Sequence, residues 1–153
     1  MIEKTRKFLV KKIPGLDGLV KTTYERYFLF KNDKVELRIQ KKDNQYQLER
    51  VVEMTGGETE KTKLIISEEE FEKLKEKSIG EIIRDSYIVQ KDPEIAIRFY
   101  KGRYEGLVRV ETDMETVPEW FGEEITKTDL GRDGKLIRLT REEFLKLLTN
   151  CTI

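Results

Sequence analysis

The chain has 153 residues, enough for one domain with a hydrophobic core of its own. It carries 30 basic and 30 acidic side chains, and a formal net charge of zero argues against a protein that coats DNA or RNA. It contains no histidine, which excludes Ser-His-Asp and Cys-His catalysis as well as histidine-ligated zinc.

The cysteine content and the hydropathy pattern bear on where the protein works. Cys151 is the one cysteine of the sequence, so no intrachain disulfide can form. No apolar run approaches the length of a membrane span, and the first residues lack the apolar core of a signal peptide. We therefore expect a cytoplasmic protein with no membrane partner, folded as a single domain over Met1–Ile153.

Alternation of apolar and polar residues dominates the chain and predicts some eight strands, which turn residues separate. In chain order the predicted strands are Glu3–Val10, Tyr24–Phe30, Val35–Gln40, Gln45–Val51, Thr59–Ile66, Ile82–Gln90, Glu94–Tyr100 and Leu107–Met114. The short segment from Gly131 to Lys135 is predicted to be a hairpin turn.

Two segments carry the sequence signature of a capped helix. Ser67 precedes Glu68–Lys77, and Glu70 completes a capping box with it. Thr140 and Glu143 form the same pattern before a helix that is predicted to end at Leu148. Antiparallel strands with a few helices predict an α+β fold, most simply a barrel with helices packed outside it.

Several predicted strands have one aliphatic face and one face of long charged side chains. Val35, Leu37 and Ile39 alternate with Glu36, Arg38 and Gln40, and the same pattern recurs around Arg98 and Arg109. In an ordinary sheet such a face would be solvated. Alternatively, the charged faces line the inside of a barrel and hold ions or polyanions.

The order of several motifs resembles the CYTH family, the triphosphate tunnel metalloenzymes. Ile2-Glu3-Lys4-Thr5-Arg6-Lys7-Phe8-Leu9-Val10 is similar to the Glu-x-Glu-x-Lys strand that opens those proteins, and Val35–Ile39 falls where they have an Arg-x-Arg strand. Val108-Arg109-Val110-Glu111-Thr112-Asp113 resembles their late Glu-x-Glu strand, and Pro118-Glu119-Trp120-Phe121-Gly122 resembles the segment that follows. The resemblance spans residues 2 to 126.

This resemblance implies an eight-stranded antiparallel tunnel barrel with flanking helices, which binds a triphosphate-containing small molecule or inorganic polyphosphate with Mg²⁺ or Mn²⁺. Carried over by position, the metal ligands would be Glu3, Glu111 and Asp113. The phosphate ligands would be Lys7, Arg38, Lys61 and Lys63. Hard carboxylate oxygens suit the ion, and basic side chains suit phosphate oxygens. No residue is assigned a catalytic role.

The sequence also departs from the family pattern at charged positions. Thr5 stands where the second glutamate of the first motif is expected. Base is replaced by acid at Glu36 and Glu49, and acid by base at Lys61, Lys63 and Arg98. Because a buried charge without a partner is costly, these residues and Arg109 are predicted to form ion pairs inside the tunnel.

Two functions therefore stay open. The first is hydrolysis of a triphosphate with a divalent metal ion, with adenylate cyclisation as a lesser variant. The second is a catalytically inactive CYTH-fold module, whose tunnel is filled by its own salt bridges and which binds a polyanion or a protein.

Overall fold

The computed structural model describes the backbone of residues 2, 3 and 5–151 and the side chains of residues 5–151. The chain divides into two compact units. The first unit contains the start of the chain and Thr23–Ile83, and the second contains Thr5–Thr22 and the chain from Arg84 onwards. The prediction of a single domain stays a prediction.

The described residues form antiparallel strands and helices, an α+β arrangement as the sequence predicts. The strands are β1 (Ile2–Glu3), β2 (Arg6–Val10), β3 (Thr22–Lys31), β4 (Val35–Lys42), β5 (Gln45–Glu53), β6 (Thr59–Ile65), β7 (Gly80–Lys91), β8 (Glu94–Tyr100), β9 (Val108–Thr112) and β10 (Phe121–Glu124). The helices are α1 (Glu68–Lys75), α2 (Asp133–Leu136) and α3 (Arg141–Cys151).

In the first unit the strands lie in the order β1-β6-β5-β4-β3, and each of the paired neighbours is antiparallel. The aliphatic face of these strands packs against α1. Tyr27 of β3 and Ile39 of β4 form a buried cluster with Phe71 of the helix, and Tyr46 and Leu74 pack around it.

Helix α1 begins where the sequence predicts. The Ser67 side chain accepts a hydrogen bond from the Glu70 backbone N–H, and the Glu70 carboxylate accepts one from the Ser67 backbone N–H. This capping box satisfies amides that would otherwise lack a partner. The cap sets the residue at which the helix begins and thereby the face on which Phe71 lies. Phe71 faces the sheet and is 1% exposed.

In the second unit the strands lie in the order β7-β8-β9-β2-β10. Phe8, Ile95, Ile97, Val110 and Phe121 form the buried cluster on their aliphatic face. The opposite face of the same strands carries the charged side chains, because successive residues of a strand point to opposite sides.

Two details of the predicted strands are wrong. The first predicted strand is divided into β1 and β2, which pair with different neighbours: β1 with β6, and β2 with β9 and β10. A strand was also missed, since Phe121–Glu124 forms β10 along the free side of β2. Both the division of the first strand and the formation of β10 depend on pairing with strands far away in the sequence, and the local sequence indicates little about such pairing.

The segment around Gly131 is a helix and not the predicted hairpin turn. Asp133–Leu136 forms α2, and a turn from Asp129 to Gly131 precedes it. A Cβ at Gly131 would collide with the carbonyl oxygen of Ile125, so glycine permits a close backbone approach at this point. This approach places the chain before α2 against the backbone that follows β10.

The described part of the chain contains no helix that is both long and apolar enough to span a membrane.

Replacement of Phe71 by alanine should lower the free energy of unfolding by roughly 3–5 kcal/mol, because it leaves a cavity between α1 and its sheet. Phe30 is 48% exposed on β3 and serves as a matched control. Phe30→Ala should cost less than about 1 kcal/mol. Urea denaturation measures both, and similar losses would contradict the described packing of α1.

Candidate functional site

Many charged side chains of the strands are buried. In the first unit Arg26, Glu36, Arg38, Gln40 and Glu49 are each at most 6% exposed. In the second unit Arg84 and Arg109 are 4% and 2% exposed. These side chains are therefore buried and not solvated, and each buried charge requires compensation.

In the first unit Arg38 is the centre of the buried charges. Its Nε donates a hydrogen bond to Glu49 Oε1 at 2.8 Å, and its Nη1 lies 3.9 Å from Glu36 Oε2. The strand register explains the contact, since Arg38 of β4 lies directly opposite Glu49 of β5. Glu36 and Glu49, two positions of charge reversal relative to the family, thus lie close to Arg38, which the family resemblance assigned to phosphate binding.

The ionisation of Glu49 depends on its basic neighbours. Burial disfavours the charged carboxylate, but Arg38, Arg26 and Lys61 outweigh burial and lower the pKa of Glu49 to about 2. Glu49 therefore stays ionised at neutral pH.

The two lysines predicted to bind phosphate in this unit lie on β6. Lys61 is partly buried, whereas Lys63 is exposed although it lies opposite Glu49 in the register. Phosphate binding by Lys61, Lys63 and Arg38 stays a prediction.

In the second unit a larger group of charged side chains, together with one tyrosine, lies on the face opposite the hydrophobic cluster. We call it the arginine cluster, and its members are Lys7, Arg84, Arg98, Tyr100, Arg109, Glu111 and Asp133. They come from β2, β7, β8, β9 and the first turn of α2. The register places Lys7 opposite Glu111 and Arg98 opposite Arg109.

One carboxylate oxygen of Glu111 holds several guanidinium groups. Arg109 donates to Oε2 from Nη2 at 2.8 Å and from Nε at 3.1 Å. The Nε of Arg98 lies 2.9 Å from the same oxygen, and Nη1 of Arg84 lies 3.9 Å away. Burial opposes the charge of Glu111, but these arginines hold its pKa well below the ordinary value.

Asp133, in the first turn of α2, contacts Arg84 and Arg109. Its Oδ2 accepts a hydrogen bond from Arg84 Nη1 at 3.0 Å, and its Oδ1 lies 3.2 Å from Arg109 Nη2. Tyr100 also donates its hydroxyl hydrogen to Oδ1 at 2.6 Å. The carbonyl oxygen of Leu130 accepts from Arg109 Nη1, so the turn before α2 contributes as well.

Lys7 completes the cluster on β2. Burial, and after it the positive charge of Arg109, lower the pKa of its ammonium group to about 7, although the carboxylates of Glu111 and Asp133 raise it. The ordinary value for lysine lies near 10.5. An anion placed here would favour the charged form of Lys7.

The described residues do not bring the predicted metal ligands together. Glu111 is held by arginines, and Asp113 is exposed beyond the end of β9. The side chain of Glu3 lies outside the described residues, and its backbone belongs to β1. Within residues 5–151 no group of three or more acidic or thiol side chains is placed to hold a metal ion.

Some members of these buried groups were not identified from the sequence. Arg26, Arg84 and Tyr100 lie on strands, so the alternation of apolar and polar residues could have placed them on the polar face. Asp133 had no such signal, because its helix is short and its partners lie far away in the sequence.

We expect Glu49→Gln to lower the free energy of unfolding by roughly 3–5 kcal/mol at pH 7, because Arg38 would lose its buried partner. The ionised Glu49 stabilises the fold fully above the carboxyl pKa of the unfolded chain, near 4.5, and this contribution is lost as the pH falls towards 2. The difference between wild type and variant should therefore shrink between pH 5 and pH 2.

Chemical denaturation at pH 7 and about pH 3 measures this difference. The exposed Glu60 of β6 provides the control, since Glu60→Gln should change stability by less than about 0.5 kcal/mol. A pH-independent difference for Glu49→Gln would contradict the assigned ion pair.

Comparison with known proteins finds similarity in structure. No protein-family model matches the sequence, and no curated protein matches it. Among solved structures, the inorganic triphosphatase NE1496 is 23% identical, with a TM-score of 0.65 over 90% of this chain and 99% of that chain.

Two archaeal structures are similar as well. The PH1012 protein from Pyrococcus horikoshii OT3 is 14% identical, and a conserved hypothetical protein from Pyrococcus furiosus is 17% identical. Each likeness covers 91% of this chain and 92% of the other, with TM-scores of 0.54 and 0.53 respectively. These likenesses show the fold, and they confirm the α+β, CYTH-like fold that the sequence predicts.

Proposed function

We propose that the protein binds a triphosphate-type anion, either a triphosphate-containing small molecule or inorganic polyphosphate. The observation that carries the proposal is the arginine cluster. It places Lys7, Arg84, Arg98 and Arg109 on one face of neighbouring strands, with Glu111 and Asp133 as the carboxylates among them.

The chemistry of the cluster suits phosphate. Guanidinium groups present several N–H donors in a fixed plane, which match the oxygens of a phosphate group. Burial strengthens such contacts, because little water competes for the donors. The lowered pKa of Lys7 reflects both burial and a nearby positive charge. The similarity to a structure described as an inorganic triphosphatase supports the same class of ligand.

A divalent ion such as Mg²⁺ or Mn²⁺ is implied by the family resemblance. The carboxylates that the structure describes do not fit it, because Oε2 of Glu111 already holds guanidinium groups and Asp113 lies exposed beyond β9. The metal roles of Glu3, Glu111 and Asp113 therefore stay predictions, and the proposed binding does not depend on them.

Hydrolysis of the bound triphosphate, or the less favoured adenylate cyclisation, would be a further property of this site. We infer a cytoplasmic protein, since a phosphate-type substrate and a chain with Cys151 as its one cysteine suit that compartment. Release of inorganic phosphate would test hydrolysis separately from binding.

The ion pairs favour a second candidate, an inactive CYTH-fold module that binds a polyanion elsewhere or a protein. Arg38 is held by Glu49, and Arg109 by Glu111 and Asp133, so the carboxylates already neutralise part of the basic face. In this case the internal salt bridges would exclude triphosphate from the cluster.

Isothermal titration of inorganic triphosphate into the protein, first with Mg²⁺ and then with EDTA, separates the two candidates. The proposal predicts binding in the micromolar range, and Arg98→Gln should weaken it at least about tenfold because a charged phosphate contact is removed. Lys91→Gln, at an exposed position of β7, is the control and should bind like wild type.

Thermal unfolding of each variant shows whether it is folded. Absence of heat under both conditions would contradict triphosphate binding and favour the module filled by its own salt bridges. Equal weakening by Arg98→Gln and Lys91→Gln would indicate a general charge effect and would contradict a site at the arginine cluster.

A further inference from the structure

We propose that Glu111 is a built-in anion of the arginine cluster, which a phosphate group replaces, and that this binding needs no divalent metal ion. The inference rests on the proposed function, because it concerns the same site. It differs from the prediction that Glu111 holds a metal, and it assigns this residue the role of an internal competitor.

The contacts of Glu111 support this role. Its Oε2 lies within 3.1 Å of nitrogens from both Arg98 and Arg109, with Arg84 at 3.9 Å. Guanidinium groups from three strands thus lie within 4 Å of a single carboxylate oxygen. A phosphate oxygen favours the same surroundings, in which several positively charged groups lie close to one anionic oxygen.

The same contacts disfavour a metal ion at this carboxylate. A divalent cation on Oε2 would lie within a few ångströms of these guanidinium groups, and like charges at that distance repel strongly in a buried place. It would also need further oxygen ligands. Asp113, the other described carboxylate assigned to the metal, is exposed beyond the end of β9.

The guanidinium groups have additional supports that do not involve Glu111. Arg84 donates to Asp133, and Arg109 donates to the Leu130 carbonyl and lies beside Asp133. Arg98 donates to the Ser86 hydroxyl at 2.8 Å. The donors would therefore keep their positions when the Glu111 carboxylate moves away, which reduces the cost of exchanging it for a phosphate oxygen.

Exchange of one anion for another has a measurable consequence. Removal of the Glu111 charge should increase the affinity for triphosphate, because the incoming anion no longer competes with a carboxylate for the same donors. A metal-ligand role predicts the opposite, since binding would be lost with the ligand. Mg²⁺ in solution should weaken binding, because it complexes free triphosphate.

The test is titration of inorganic triphosphate into wild type, Glu111→Gln and Glu119→Gln in EDTA, and again with Mg²⁺. Glu119 is an exposed carboxylate between β9 and β10 and serves as the control for a lost negative charge. We expect wild type to bind in EDTA at least as tightly as in Mg²⁺. We expect Glu111→Gln to bind at least about tenfold more tightly in EDTA, with Glu119→Gln within about twofold of wild type.

Binding of wild type in Mg²⁺ but not in EDTA would overturn the inference and leave triphosphate binding intact. Weaker or equal binding by Glu111→Gln in EDTA would overturn it as well. Absence of binding by wild type under both conditions would instead contradict the proposed function. Thermal unfolding shows whether Glu111→Gln is folded, and Glu111→Asp replaces it if it is not. The shorter aspartate side chain should hold the arginines less well, so the Glu111→Asp protein should bind triphosphate more tightly than wild type.

Discussion

Buried guanidinium–carboxylate pairing is the interaction on which the charged faces of the strands depend in both units. Because apolar and charged residues alternate along the strands, one face of the strands carries charge, and burial makes every such charge costly unless a partner lies close to it. Glu49 meets this requirement for Arg38 in the first unit, and Glu111 with Asp133 meets it for Arg84, Arg98 and Arg109 in the second. Glu49 lies on the strand beside that of Arg38, and Glu111 on the strand beside that of Arg98, so these two pairs also favour the observed strand register.

This pairing links stability to recognition. A carboxylate that compensates a buried arginine in the empty protein also competes with any anion that arrives. In our proposal, the arginine cluster would combine a stabilising function with a phosphate site whose affinity Glu111 limits. A structure similar to this one is described as an inorganic triphosphatase. Charge changes in a shared fold can alter the ligand requirements of such a site without altering its strands.

Much of the fold could be predicted from the sequence, because alternation and helix capping are local signals. The capping box at Ser67 and the two-faced strand of Arg38 are examples. The division between β1 and β2 and the position of Asp133 could not be predicted, since they depend on pairing between residues far apart in the chain. Charge partners are equally hard to predict from local sequence. Alternation places Arg38 on the polar face of β4, but its contact with Glu49 depends on how β4 pairs with β5.

The most direct test of a metal-independent arginine site is a crystal structure of the protein with inorganic triphosphate in EDTA. We expect phosphate oxygens within hydrogen-bond distance of Arg98 and Arg109, with the Glu111 carboxylate turned away from them. A triphosphate bound away from these arginines would contradict it. So would a parallel structure grown with Mn²⁺ in which Glu111 coordinates the ion.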